Sequence, residues 1–467
     1  MRADSIPQSL REVLRGFESC FTAPTYRRFL TLVIGWLFCR SRHWVTRVVR
    51  ASGESTEQHH AGFHRFFSEA RWEPDEAWQA LLNQLLPYLP KRIEVIVDDT
   101  LCRRNGPRIF GAGMHHDGAA SSQSAMGKQV SFGHSWVVLT LVVPTPWKSP
   151  GIAVPVAASL YRSLKTCPKS EYRKRTVIAR ELVEKLASWL PEGRTVHLMG
   201  DREYACKTVL RDLDQAVEFT GPMPMDAMLF KLLSEDYRQK RGTRRVMGDR
   251  LPSSKELAAN DDVDWVERKV SIYGKTVVLL TKDLVCLWYT ATGTRPVRVV
   301  VTRDPKGNYA DRAFFSTRHK AGAKTLLESY ARRWLIEVSF REAKQTFGFS
   351  EAQNGWSRGT RPQSRPKPGP QARGKRGRRA VERTAPFALI VRGILVAWYL
   401  GQNRWEADVE KHKRHSPWNT KKTHPSLGDM LDAVREEIQL HRIQRHPLRI
   451  STRAQLEKAR KLLGMAA

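Results

Sequence analysis

Apolar residues recur every three or four positions through residues 1–90, the spacing of helix faces. YRRFLTLVIGWLFC (26–39) and EPDEAWQALLNQLLPYL (73–89) carry the pattern most clearly. The second opens with Pro74, Asp75 and Glu76, which suit a first helical turn. From Ile93 the pattern changes to short apolar runs. IEVIVDDT (93–100), SWVVLTLVVP (135–144) and GIAVPVAASLY (151–161) read as strands. SEYRKRTVIARELVEKLASWLP (170–191) then reads as an amphipathic helix, TVHLMGDREY (195–204) as a strand ending in an acid, CKTVLRDLDQ (206–215) as a helix and AVEFTG (216–221) as a strand. This order predicts an α/β sheet with an antiparallel hairpin edge followed by parallel crossover units.

Beyond residue 222, charged irregular sequence gives way to WVERKVSIYGKTVVLLTKDLVCLWYT (265–290) and RPVRVVVTRD (295–304), which alternate like antiparallel strands. They predict a β-rich insertion over 222–315 that postpones the next core helix, ESYARRWLIEVSFREAKQ (328–345). The stretch 351–384 is rich in Arg, Lys, Pro and Gly and reads as a flexible basic loop. Two helices follow in a C-terminal region over 385–467. The expected organisation is thus a helical N-terminal domain (1–90), an α/β core (91–221 and 316–350) split by the insertion, the loop and the helical end. The N-terminal helices fit either DNA binding or a bundle packed on the core.

Charge narrows the partner. Lys and Arg number 79 against 47 acids, a formal net charge of +32 over 467 residues. An excess of this size points to a polyanion, with nucleic acid first because its affinity arises from phosphate neutralisation. A membrane surface is the weaker reading, since the basic residues are spread along the chain. Phe29–Cys39 is too short to span a bilayer, and the run 385–400 contains Arg392 and reads as a buried helix. The six cysteines are far apart and form no CxxC pair, so reduced thiols and a cytoplasmic location are expected.

The candidate chemistry lies at the ends of two predicted strands. Asp98 and Asp99 end one and Asp201 the other, and functional groups gather at the carboxyl ends of strands in open α/β sheets. Adjacent parallel strands would bring these carboxylates within a few ångströms, where they repel unless a cation lies between them. All-oxygen clusters of this kind suit Mg2+ or Mn2+. On one continuous helix, Tyr330, Arg333, Glu337, Arg341 and Lys344 fall on a single stripe. Glu337 is then a third ligand, Arg333, Arg341 and Lys344 hold phosphates, and Tyr330 positions or stacks on a nucleotide. Two divalent ions roughly 3.5–4 Å apart would promote in-line phosphoryl displacement. The bland alternative is a solvated face with i,i+4 ion pairs. Glu342 points away from the stripe. His59, His60, His115 and His116 lack metal-ligand spacing and read as surface residues, while Lys128 and His134 lie between the first two strands.

The pattern Tyr330-x2-Arg333-x3-Glu337-x6-Lys344 resembles the Tyr-Arg-Glu-Lys signature of bacterial insertion-sequence transposases of the DDE class. VIVDDT and DREY resemble that family's first and second aspartate motifs. The resemblance spans residues 93–345 and implies an RNase H-like catalytic core, with metal-dependent DNA cleavage at element ends and strand transfer into target DNA. It implies Asp98, Asp201 and Glu337 as metal ligands, DNA-end contacts for Tyr330, Arg333 and Lys344, and a homodimer holding paired ends. It also offers Trp288 as the aromatic residue that receives a flipped base; by itself Trp288 reads as a packed strand residue. Asp99 competes with Asp98 as first ligand, and Asp98 is favoured because it directly ends the apolar run. A nuclease that cleaves without strand transfer and an inactive transposase-derived DNA-binding protein are the alternatives.

Overall fold

Helix starts in the N-terminal region follow from local chemistry. The computed structural model describes residues 3–54, 59–104, 109–123, 127–233, 245–351 and 374–445. Helices α1 (Gln8–Arg15), α2 (Ala23–Phe38), α3 (Val45–Ala51), α4 (Ala61–Ser68) and α5 (Pro74–Leu85) come first. Pro24 and Pro74 occupy first turns, where a missing N–H costs nothing, and Asp75 and Glu76 face the positive end of α5.

The sheet begins with β1 (Arg92–Arg103), followed by β2 (Gly113–His116), α6 (Gly118–Gln123), β3 (Val130–Thr145) and β4 (Lys148–Tyr161). Then come α7 (Arg175–Trp189), β5 (Thr195–Gly200), α8 (Lys207–Leu210) and β6 (Val217–Met223). β3 lies antiparallel to β1 and β4, whereas β1, β5 and β6 run parallel. The order β4-β3-β1-β5-β6 is that of an RNase H-like core, with the antiparallel edge and parallel crossovers that the strand pattern predicts.

The insertion differs from expectation in one respect. Its elements are β7 (Leu229–Phe230), β8 (Arg250–Leu251), α9 (Ser254–Ala259), β9 (Val266–Ile272), β10 (Lys275–Leu287), α10 (Tyr289–Thr292), β11 (Pro296–Arg303) and β12 (Arg312–Ser316). Rather than forming its own sheet, it continues the core sheet: β12 pairs antiparallel with β6, and β11 and β10 follow, within one twelve-stranded sheet. Pairing β12 satisfies backbone groups that an open β6 edge would leave unmade.

The chain ends in α11 (Ala323–Ala331), α12 (Trp334–Thr346), α13 (Lys375–Gln402), α14 (Trp405–His415) and α15 (Leu427–Arg445). Residues 375–384, expected as loop, open α13, and residues 352–373 of the basic stretch lie outside the described residues. α13 is long and apolar enough to cross a membrane, but 89% of its apolar window is buried inside the protein. It is the central core helix. Phe387 packs within 6.0 Å of Phe29, Trp36, Phe66 and Phe67, and buried Arg383 donates to the carbonyls of Ala70 and Trp72. One apolar core therefore runs from Ile6 to Ile438, and residue 90 marks a change of pattern within it.

Candidate active site

Asp98 and Asp99 do not end their strand as expected: β1 runs on to Arg103, paired with β3 throughout. Its parallel pairing with β5 stops at Val97 opposite Gly200, so Asp98 and Asp201 follow side by side. A Cβ at Gly200 would meet Val97 and Tyr204 at 3.0 Å, which is why the smallest residue ends β5. Asp201 then accepts backbone N–H bonds from Glu203 (2.9 Å) and Tyr204 (3.4 Å), which fix its carboxylate.

The two-residue repeat of β1 separates Asp98 from Asp99. Glu94, Asp98 and Thr100 share one face and meet Arg332, Arg333 and Lys344. Asp99 lies on the other face, accepting from the hydroxyls of Ser135 (3.3 Å) and Tyr204 (3.3 Å) and lying 3.4 Å from Arg175 at the start of α7. Only Asp98 of the two faces the helix that carries Glu337.

The expected continuous helix over 328–345 is broken. α11 ends at Ala331, and the amides of Arg332 and Arg333 donate to the carbonyls of Ser329 and Tyr330 in a tight turn before α12. The turn directs both arginines at β1, where Arg332 pairs with Glu94. Arg333 donates through Nη1 to Asp98 (2.8 Å) and through Nη2 to Glu337 (2.8 Å), bridging the two carboxylates. Lys344 Nζ donates to Thr100 Oγ1 (2.7 Å) and the Leu101 carbonyl (2.9 Å), leaving one N–H for another acceptor. Tyr330 sits half-buried on α11 with its ring 5.0 Å from that of Phe314.

Other predicted positions lie elsewhere. Arg341 is exposed and lines a separate groove, so the stripe loses its fourth member. Trp288 is 6% exposed and packs edge-on against Phe315 at 4.9 Å; a base could stack on it only if the core opened. Glu342 points away as anticipated and pairs with buried Arg392 at 2.5 Å. His115 is buried rather than superficial, and His134, also buried, is bonded between Arg104 and the Phe110 carbonyl. The sequence reading missed the support around Asp99. Tyr204 stood inside the DREY motif, but nothing in the pattern marked Ser135 or Arg175.

The chain matches the family model described as DDE superfamily endonuclease over residues 16–276, more than half its length. It belongs to the DDE superfamily of endonucleases. The matched span holds Asp98 and Asp201 and ends before Glu337. Among solved structures, a cryo-EM structure of the piggyBac transposase synaptic complex with hairpin DNA is similar over 98% of this chain and 81% of its own, at 10% identity and a TM-score of 0.40. No match was found among curated protein sequences.

The electrostatics of this DDE endonuclease concentrate on the acids of β1 and the turn after β5. Burial pushes Asp98 up to about 7, against the pull of Arg333 and with added repulsion from Asp201 and Asp99. Burial raises Asp201 too, against its backbone N–H bonds and Arg333. Tyr204 is driven well above the usual phenol range, first by burial and then by Asp99. Burial works against the Arg333 charge, but Asp98, Tyr330 and Glu337 together raise it overall. The acids thus repel one another in a desolvated place, and Arg333 supplies positive charge between two of them.

Among the described residues, no three His, Cys, Asp or Glu side chains converge tightly enough to form a ready metal cage. The donor chemistry nevertheless fits a hard divalent cation: Asp98 and Asp201 are adjacent, and Glu337 is one guanidinium away from Asp98.

Proposed function

We propose that this DDE endonuclease is an insertion-sequence transposase that cleaves DNA at element ends and joins them to target DNA, acting as a homodimer on paired ends. The observation that carries the reading is Asp98 of β1 beside Asp201 at the end of β5, with Glu337 of α12 joined to Asp98 through Arg333, in a chain of net charge +32. Asp98, Asp201 and Glu337 would hold Mg2+, or Mn2+ in its place; the bound ions supply Lewis-acid stabilisation of attacking and leaving oxygens.

The chain's own groups do the rest. The Asp201 turn and the Arg333 bridge orient carboxylates toward one region before substrate arrives. Arg333 retains N–H groups beyond its two carboxylate bonds, and Lys344 retains one, so both can hold DNA phosphates beside the acids. The Tyr330 phenol, held by Arg333, would take a terminal nucleotide beside the acids.

The test is incubation with Mg2+ and DNA bearing the flanking inverted repeats. Excision with joining to a target supports the proposal. Cutting without joining indicates a nuclease of the same superfamily, and binding without cutting an inactive derivative.

A further inference from the structure

Helix α12 carries Glu337 on one side, and its opposite side, with Ser339 and Glu342, lines a groove of about 410 Å³. The tip of the β3–β4 hairpin, α13 and the α14–α15 connection complete the walls. Three wall residues bear buried polar atoms with no hydrogen-bond partner: Arg392 Nε, Ser339 Oγ and Trp147 Nε1. Arg392 and Ser339 are each 1% exposed. The rest of the Arg392 guanidinium is committed to the Ala153 carbonyl (2.8 Å) and Glu342 (2.5 Å), so the unused N–H is held in place.

A buried donor left unmade costs roughly 1–3 kcal/mol, and native proteins leave few. These atoms lie beneath the groove wall, so a ligand in the groove meets its charged side chains. Lys148, Arg341 and Lys421 also line the groove, and none has a side-chain hydrogen bond or ion pair among the described residues. Lys422 lines it as well but is paired with Asp429. Five cationic side chains therefore surround one lining acid, Glu342. Surplus positive charge around a groove matches a phosphate oxyanion better than a neutral ligand.

We propose that this groove is a second DNA-backbone site, binding a phosphodiester through Lys148, Arg341 and Lys421. The inference rests on the reading of DNA as substrate.

The experiment compares the full-length wild type with Lys148→Gln/Lys421→Gln in binding to a labelled duplex across a salt series, with inorganic phosphate as a separate probe. Two lost phosphate contacts should weaken binding about tenfold and lower the slope of log affinity against log salt by about 1.8. If the double variant does not fold, Arg341→Gln reads the same effect with about half the change in slope. Affinity and slope equal to wild type would overturn the groove site alone. The same holds if inorganic phosphate raises the melting temperature of wild type and not of the variant while their duplex slopes coincide, which marks a free-anion pocket. A wild type that binds no DNA would overturn this site and the transposase reading together.

Discussion

At the scale of single residues, the neighbouring aspartates show how one backbone rule assigns different work to like side chains. Asp98 points to α12 and Arg333; Asp99 points to Ser135, Tyr204 and Arg175. Metal binding requires the ionised carboxylate. With Asp98 raised to about 7, Mg2+ affinity should fall steadily as pH drops below 7 and level off above it. Calorimetric titration from pH 5.5 to 8.5 checks this, and a flat profile would detach Asp98 from the metal. Metal-free stability moves the other way. The unfolded chain loses the Asp98 proton near 3.8 while the fold retains it to about 7, so stability declines as pH rises through that window. Asp98→Asn should flatten that decline in denaturant titrations at pH 5 and pH 8.

At the scale of elements, α12 is the piece that builds the site, held by Lys344 on β1 and by Glu342 on α13. Removing the Glu342 carboxylate leaves the Arg392 charge buried and uncompensated. Glu342→Ala should therefore cost about 3 kcal/mol in chemical unfolding; a loss below about 0.5 kcal/mol would show that Arg392 finds another partner. Much of this level was legible. Apolar runs before acids marked β1 and β5, and their parallel pairing placed Asp98 beside Asp201, although β1 runs on past its acids to Arg103. The break at Arg332–Arg333 was not legible, because helical spacing alone does not report that Glu94 and Asp98 draw both arginines toward β1. Arg341 shares α12 with Glu337 yet lines a separate groove, and Trp288 packs in the core, the reading its own residue favoured over the base-receiving role that the resemblance offered. The extension of the sheet by β12 also escaped notice, since pairing partners distant in sequence leave no local pattern.

At the scale of the whole molecule, the sequence suggested separable parts that the packing joins. α1, α2, α4 and α5 pack on α13, and Phe387 sits among four aromatic rings from α2 and α4. A chain lacking residues 1–90 should thus expose the apolar faces of α13 and aggregate, whereas the full chain should melt with the N-terminal helices and sheet in one transition. Soluble, folded 91–467 in size-exclusion chromatography would contradict this.

The central claim is that Asp98, Asp201 and Glu337 act together in metal-dependent cleavage, and single-turnover cutting of DNA bearing the element ends tests it most directly. Asp98→Asn, Asp201→Asn and Glu337→Gln should each abolish Mg2+-dependent cutting while duplex affinity stays within about threefold of wild type, since phosphate contacts dominate binding. Cutting at the wild-type rate by any one of the three would contradict the account.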